Sequence, residues 1–289
     1  MIVIPIRVIS KNIRYATDSP FPGEELWRDR KSKLIDELKF STLHSQSALI
    51  CCQEVLHAQL EDILTELRRC DDWNYVGWGR DDGLQGGEYA PIFYRPASWN
   101  LLEETLIWFS PTPAKPSKDP DAGSVRILTR AKLEHKSTGG VVVVYCTHLD
   151  DQSGDARLRA AHQIRRTAQE DKDFPIIMAG DFNSTEDQEA YQAITSEQSF
   201  YDAYKSSCLR YGNTNTATGF SSDDGDPKRI DFIFYSEPLR YNKKNRLTVQ
   251  AYAALSNRFD DGIYNSDHRA VAADLLLRID PKIGSTITV

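Results

Sequence analysis

Acidic, amide and imidazole side chains stand at the ends of apolar segments in this 289-residue chain. The segment 175–183, PIIMAGDFN, shows the pattern: an apolar run ends at Gly180, and Asp181 and Asn183 follow with Phe182 between them. Residues two apart on an extended chain share a face, so the carboxylate and the carboxamide point the same way. Alone, each would be an ordinary turn or helix-capping residue.

The pattern recurs along the chain, and this repetition indicates an active site, because such sites form where the strand ends of layered α/β proteins converge. The polar residues at these ends are Asn12, Gln53, Glu54, His148, Asp150, Asp181, Asn183, Asp231, Asp267 and His268. Carboxylates brought together raise one another's pKa unless a cation lies among them. We therefore predict a hard divalent cation, Mg²⁺ or Mn²⁺ in preference to zinc, because these residues include no cysteine and no HExxH motif.

Short apolar segments rich in β-branched residues predict more strands than helices. The predicted strands are 2–9, 48–53, 90–94, 127–133, 141–147, 175–179, 230–235, 247–253 and 270–277, and the predicted helices are 24–40, 57–70, 155–171 and 186–195. Turns such as 136–140 are too short to hold a crossover helix, which favours mixed sheets over a doubly wound parallel sheet. We expect one α/β domain, 1–289, with helices on the outer faces, because no linker or break in composition divides the chain.

The net charge of −7, from 42 acidic and 35 basic residues, disfavours binding of long duplex nucleic acid, which needs surplus Lys and Arg. Basic residues cluster only within 67–69 and 243–244. Short single-stranded ends or small phosphoesters therefore suit this chain better.

The N-terminal MIVIPIRVIS lacks the basic start, long apolar stretch and cleavage site of a signal peptide, and no run reaches the ~18 apolar residues of a membrane span. We expect a soluble, monomeric protein of the cytoplasm, although a secreted protein that has lost its signal peptide would have the same sequence. The five cysteines are odd in number and irregularly spaced, which favours buried free thiols over disulfides.

Several of these segments together resemble the endonuclease/exonuclease/phosphatase superfamily, which includes deoxyribonuclease-I-like nucleases, sphingomyelinases, inositol-polyphosphate phosphatases and mRNA deadenylases. The matching pieces are Asn12, QE at 53–54, THLD at 147–150, GDFN at 180–183, RIDFIF at 229–234 and SDH at 266–268. The resemblance implies a four-layer α/β/β/α sandwich of two mixed β-sheets with helices outside. It also implies a phosphoester hydrolase that depends on Mg²⁺ or Mn²⁺.

The resemblance assigns metal and water chemistry to four of these residues. Glu54 is similar to the principal metal ligand, with Asn12 and Asp267 close to it. Asp181 is similar to the carboxylate that orients or deprotonates the attacking water. Carboxylates around a cation share their protons, so the sequence does not establish that Asp181 is the base by itself.

The resemblance places three further polar residues at the phosphoryl group and one behind them as an orienting carboxylate. Asn183 is similar to a hydrogen-bond donor to the phosphate. His268 is similar to the histidine that stabilises the transition state, with Asp231 as its orienting carboxylate. His148 is similar to a second imidazole near the scissile phosphate.

Five further residues are candidate substrate or phosphate contacts. Arg126 resembles an arginine that several family members place near the phosphate, although an ion-paired arginine of an edge strand would look the same. Asp150, the last residue of THLD, is a further candidate. Glu88 and Tyr89 follow two glycines, which allow a close approach to a ligand or simply form a hairpin turn. Phe220, in the loop 213–229, could stack on a base or anchor the loop.

Two positions depart from the family pattern. Asp151 follows THLD where many relatives have histidine, which adds negative charge near the site and weakens any inference of a shared substrate. Arg269 follows SDH where a bulky uncharged residue is common, and it could contact substrate or face solvent.

The segments 86–95 and 108–126 resemble a microbial subgroup near the deadenylase-like branch. We expect a phosphodiesterase or nuclease that acts on nucleic-acid ends, with 3′–5′ exonuclease activity on RNA as one form. The alternative is a phosphatase or phosphodiesterase of a small metabolite or lipid headgroup. A catalytically silent binding module is disfavoured, because such a protein has little physical reason to keep clustered, mutually repelling acids.

Overall fold

The computed structural model describes residues 2–198, 200–221, 228–236 and 245–279, and its strands form two mixed β-sheets. The strands are β1 (Ile2–Asn12), β2 (Leu49–Gln53), β3 (Asn74–Val76), β4 (Ile92–Tyr94), β5 (Trp99–Trp108), β6 (Ile127–His135), β7 (Val141–His148), β8 (Ile176–Asp181), β9 (Tyr201–Asp202), β10 (Leu209–Gly212), β11 (Asp231–Ser236), β12 (Asn245–Ala254) and β13 (Val271–Ile279). Within the described ranges, seven strands form one sheet in the order β10-β12-β13-β1-β2-β4-β3, and six form the other in the order β5-β6-β7-β8-β11-β9.

Four of the described helices lie on the outer faces of the sheets, and a short fifth helix packs between the sheets. They are α1 (Trp27–Thr42), α2 (His57–Arg68), α3 (Gly154–Glu170), α4 (Glu189–Thr195) and the single turn α5 (Ala203–Ser206), with a 3₁₀ turn at Ser196–Gln198. Apolar residues of α1 and α2 pack on the first sheet, and those of α3 and α4 pack on the second. A third apolar cluster fills the space between the sheets. This arrangement confirms the predicted four-layer α/β/β/α sandwich.

Register in the sheets brings the polar strand ends together. The parallel pair β7 and β8 places His148 beside Asp181, and the antiparallel pair β8 and β11 places Asp181 beside Asp231. The parallel pair β1 and β2 places Asn12 beside Gln53, the residue before Glu54. The central strands are buried on both faces, which explains their continuous apolar runs.

Gly180 sets the close approach of β7 and β8 just before the site. A Cβ atom there would lie 2.2 Å from the carbonyl oxygen of Thr147, a distance at which the two strands could not pack. The glycine of GDFN therefore keeps His148 and Asp181 in register.

The sequence missed β5 and three short strands, β3, β9 and β10. Strand β5 is an edge strand whose middle residues, Leu102 to Thr105, are exposed, so it lacks the apolar pattern that marked the others. Helix α1 begins at Trp27 and not at 24, because the Glu24 carboxylate accepts hydrogen bonds from Arg14 and from the N–H of Phe21. Helix α4 begins at Glu189 and not at 186.

All five cysteines are free, as expected, but only Cys51, Cys52 and Cys146 are buried. Cys70 and Cys208 are exposed, so the expectation of burial is wrong for these two, which lie just after α2 and just before β10. Within the described residues, no helix has the length and apolar character needed to cross a membrane.

Candidate functional site

Backbone strain is concentrated where the predicted site residues lie. Four non-glycine residues of the described chain have positive φ, and three of them, Arg14 (58°), Glu54 (60°) and Asn183 (46°), lie within two residues of the ends of β1, β2 and β8. Such a conformation costs about 1–3 kcal/mol per residue and persists only where surrounding contacts impose it. These three strand ends are therefore held in place by their neighbours.

The Asn12 side chain holds two carboxylates together. Its Nδ2 donates to Glu54 Oε1 at 2.9 Å and to Asp181 Oδ2 at 3.0 Å. The Asn12 oxygen accepts from the N–H of Arg14 at 2.9 Å, and the N–H of Tyr15 donates to Glu54 Oε2 at 3.1 Å. In this structure the Asn12 amide orients the two acids, and its nitrogen faces them.

The acids and imidazoles form a group that could hold a metal ion. One possible ligand atom from each of Glu54, His148 and Asp181 lies within 4.8 Å of the others, and the same holds for Asp181, Asp231 and His268. Burial and the Asp231 carboxylate raise the pKa of Asp181. Asp231 Oδ1 is buried and has no hydrogen-bond partner. A carboxylate-rich, partly unsatisfied donor set of this kind fits a divalent cation.

Asp267 is placed differently from the other predicted metal residues. It is half-buried, and its Oδ1 accepts from Ser266 Oγ at 3.3 Å. It belongs to neither of the two possible ligand groups among the described residues. Its role as a ligand remains a prediction.

His268 and Asp231 form a buried pair that faces Asp181. His268 Nδ1 donates to Asp231 Oδ2 at 2.8 Å, and His268 Nε2 lies 3.7 Å from Asp181 Oδ2. Burial acts to lower the pKa of His268, but the Asp231 and Asp181 carboxylates outweigh it and raise that pKa well above its usual value. These carboxylates favour the imidazolium form of the ring, whose Nε2 faces Asp181.

His148 is the opposite case. Burial, followed by the Arg126 guanidinium, lowers the pKa of His148 to about 4. Arg126 Nη1 lies 3.0 Å from His148 Nδ1, and because a guanidinium can only donate, Nδ1 accepts this hydrogen bond. Nε2 lies 3.5 Å from Asp181 Oδ2 and 3.0 Å from Asn183 Nδ2, so these three residues are neighbours.

The Asp150 carboxylate stabilises the loops next to the site. It accepts hydrogen bonds from the N–H groups of residues 123, 124, 152 and 153. Burial raises the pKa of Asp150, but these bonds outweigh it and the net shift is downward. The carboxylate anchors two loops, and it lies 3.5 Å from Arg126 Nε. A loop anchor is a sufficient account of this residue.

The structure brings Glu88 to the site but turns Tyr89 away from it. Glu88 Oε2 lies 3.7 Å from His148 Nδ1 and accepts from Arg80 Nη1 at 2.7 Å. Tyr89 is buried in the cluster under α1 and α2, and its hydroxyl donates to the carbonyl of Leu84. Sequence reasoning missed Arg80, although a basic residue before a glycine-rich loop was a usable signal.

Phe220 and Arg269 have structural contacts. Phe220 is 8% exposed and packs edge-to-face on Tyr264, which suits a loop anchor better than a stacking platform. Arg269 Nη1 donates to the carbonyl of Asn215. Part of the predicted loop, 222–227, and the basic pair 243–244 lie outside the described residues.

Two fully buried cations join the loops that carry the site. Arg30, on α1, donates to the carbonyls of Ile13, Arg14 and Asn265 at 2.7–2.8 Å. Lys11, on β1, donates to the carbonyl of His268 at 2.8 Å and pairs with the Glu37 carboxylate of α1 at 3.2 Å. The loop after Asn12 and the loop before His268 are thereby tied to one helix.

The sequence and the structure both match known proteins. The profile of the Endonuclease/Exonuclease/phosphatase family matches residues 26–268. A mannosyl-6-phosphatase of Bacteroides thetaiotaomicron superposes with a TM-score of 0.82 at 28% identity, covering 93% of this chain and 99% of that one.

Two curated relatives come from eukaryotes. Nocturnin of Rattus norvegicus is 23% identical over 288 residues, which cover 90% of this chain and 61% of the relative. The CCR4-Not complex 3′-5′-exoribonuclease subunit Ccr4 of Yarrowia lipolytica is 25% identical over 216 residues, 58% of this chain and 30% of the relative. This chain therefore spans less than two thirds of the length of either.

Proposed function

Because the chain belongs to the endonuclease/exonuclease/phosphatase family, whose members are phosphoester hydrolases, we propose that it hydrolyses a phosphate ester of a small hydroxylated compound such as a sugar. The observation that carries this choice is the pairing of the cations around the site. Arg14 pairs with Glu24, Arg80 with Glu88 and Arg126 with Asp151. A substrate with many phosphates needs surplus cations, whereas a single phosphoryl group does not.

The cation would be held by Glu54, with Asp181 as the adjacent donor. When bound, it would offset negative charge on the phosphoryl oxygens, as divalent cations do in phosphoester hydrolysis. The predicted roles of Asn12 and Asp267 as further ligands stay part of this proposal.

The remaining chemistry is assigned to the chain's own side chains. Asp181 orients the attacking water and accepts its proton as the general base. His268 donates from Nε2 to a phosphoryl oxygen, where its positive charge stabilises the charge that develops in the transition state. Asp231 holds the His268 ring in orientation through Nδ1. Asn183 and Arg126 supply further donors to the phosphate.

A second candidate is the hydrolysis of nucleic-acid ends, including 3′–5′ exonuclease action on RNA. One observation favours it besides the match to Ccr4. Phe21 is 59% exposed and covers the guanidinium of Arg14, which lies 3.9 Å from Glu54. An exposed ring near the acids could stack on a base.

A substrate panel tests both candidates. The protein, with Mg²⁺ or Mn²⁺, is incubated with hexose phosphates, inositol phosphates, sphingomyelin, labelled oligoadenylate and bis-p-nitrophenyl phosphate. We expect turnover of hexose phosphates, complete loss with EDTA, and recovery when the metal is added back. Turnover of oligoadenylate alone would select the second candidate.

The same panel tests the hypothesis that the protein is a catalytically silent binding module. Glu54→Ala and His268→Ala are expected to abolish turnover, which excludes contaminating hydrolases as its source. No turnover of any substrate with any divalent metal would favour a binding module.

A further inference from the structure

We infer that Arg80 and Glu88 form a recognition site for the hydroxyl groups of the leaving alcohol. This inference rests on the proposed function, since it names the part of the substrate that one wall of the site contacts. It assigns a role to Arg80, which the sequence pattern did not identify, and a partner to Glu88.

The position of Glu88 is the first support. Its Oε2 lies 3.7 Å from His148 Nδ1, while Asp181 Oδ2 lies 3.5 Å from His148 Nε2. Glu88 and Asp181 are therefore neighbours of opposite ring nitrogens of one imidazole. This distance places Glu88 next to the reaction centre but outside both groups of possible metal ligands found in the described chain.

The charge of Glu88 is the second support. A carboxylate repels phosphoryl oxygens, so this wall does not suit the phosphate itself. A carboxylate accepts strong hydrogen bonds from neutral hydroxyl donors. Glu88 Oε2 accepts from Arg80, and no described residue donates to Oε1. The free oxygen is available to a hydroxyl of the substrate.

Arg80 supplies orientation and a donor. Its Nη1 donates to Glu88 at 2.7 Å, and its Nε is buried without a hydrogen-bond partner. The side chains of Arg80 and Glu88 are 14% and 15% exposed. A paired carboxylate and guanidinium present an acceptor and donors side by side, which matches a hydroxylated ring better than an apolar one.

The loop that carries the pair is rigidly built. The N–H of Arg80 donates to the carbonyl of Glu88 at 3.0 Å, and Trp108 Nε1 donates to the carbonyl of Arg80 at 2.7 Å. Gly87 has a φ of 77°, and a Cβ atom there would lie 2.5 Å from the Asp81 carboxyl carbon. A rigid wall of this kind discriminates between substrates with little loss of entropy.

The test compares substrates that differ only in the leaving group. kcat/KM is measured on hexose 6-phosphates, on their monodeoxy analogues and on p-nitrophenyl phosphate, which carries no hydroxyl next to the ester. We expect Glu88→Ala to lower kcat/KM on the hexose phosphate by about 10–100-fold, as for loss of a hydrogen bond to a charged group. On p-nitrophenyl phosphate the change should stay within about threefold.

The monodeoxy series provides the sharper measurement. The wild-type protein should discriminate against the analogue that lacks the recognised hydroxyl, and Glu88→Ala should no longer do so, because the wall has lost its acceptor. Arg80→Gln should weaken the same discrimination. Glu104→Gln, which changes an exposed carboxylate of β5, is the matched control and should leave all values unchanged.

The outcomes distinguish a failure of this inference from a failure of the proposed function. Equal losses on both classes of substrate, or no loss on either, would overturn the inference while leaving the proposed function standing. A wild-type protein that hydrolyses p-nitrophenyl phosphate but no hexose phosphate would overturn the small hydroxylated substrate and this inference with it. Thermal unfolding of each variant, including Glu88→Gln, shows whether a loss of kcat/KM comes from misfolding.

Discussion

The two histidines of the site lie on either side of Asp181, and their pKa values are shifted in opposite directions. His268 faces two carboxylates, and its pKa is raised well above the usual value. His148 is equally deep, but Arg126 stands at its Nδ1, and its pKa is lowered to about 4. Both rings are buried, so the difference between their pKa shifts comes from their charged neighbours, Asp231 at Nδ1 of His268 and Arg126 at Nδ1 of His148.

This difference implies different roles for the two rings. An imidazolium such as His268 can share negative charge on a phosphoryl group, whereas a neutral ring such as His148 can only position its neighbours or donate one hydrogen bond. Residue type alone could not have separated these roles, because each histidine lies at one end of a buried apolar segment.

The largest expected effect is that of His268→Gln. Removing the charged donor should lower kcat by about 10²–10³-fold, the usual loss for one transition-state donor. His148→Gln should cost about tenfold or less, because it removes a neutral hydrogen bond. Steady-state kinetics on p-nitrophenyl phosphate measure both, and His162→Gln, an exposed histidine of α3, is the control. A larger loss at His148 would reverse the assignment.

Asp231→Asn should have the next largest effect. The ring of His268 loses the charge that orients it, and a displacement of about 1 Å at a reacting group can cost about 10²-fold in rate. Asp171→Asn is the matched control, because Asp171 is equally buried and ion-paired but contacts Arg130 and Tyr145 outside the site. Unchanged kcat in Asp231→Asn would mean that Asp231 does not act through His268.

An NMR titration of the metal-free protein compares the two rings directly. The His268 ring signals should stay those of an imidazolium through neutral pH, and the His148 signals should stay those of a neutral ring until about pH 4. His268 contributes folding stability that is present below about pH 6.5 and is lost as pH rises through its folded pKa. His148 has the opposite sign: stability is lost as pH falls from about 6.5 to about 4. Similar midpoints for both rings would contradict the comparison.

Arg126→Gln should give the smallest effect. Loss of the guanidinium should raise the pKa of His148 from about 4, but not to its ordinary value, because burial is the larger cause of the lowering. The same NMR titration measures the change. Arg159→Gln, which removes an arginine paired with Asp119 on the surface, should leave the midpoint where it was.

The sequence predicted the strands that deliver the site, because a buried strand leaves a long apolar run and its polar ending stands out. It did not predict where the side chains of Tyr89, Asp150 and Phe220 point, since orientation depends on partners distant in sequence. The Tyr89 side chain packs in the core. The Asp150 carboxylate accepts hydrogen bonds from the N–H groups of residues 123 and 124 as well as from those of its own loop. Edge strand β5 was not predicted, because its solvent-exposed residues interrupt the apolar pattern.

The attachment of two loops to one guanidinium implies thermodynamic coupling within the site. Arg30 contacts the loop that follows Asn12 and the loop that precedes His268, so a shift of either loop is transmitted to the other. Free-energy changes from substitutions at Asn12 and His268 should therefore fail to add in a double-mutant cycle, even though no hydrogen bond joins the two side chains. In an Arg30→Lys background, which keeps the charge but loses the fork, the interaction energy should shrink.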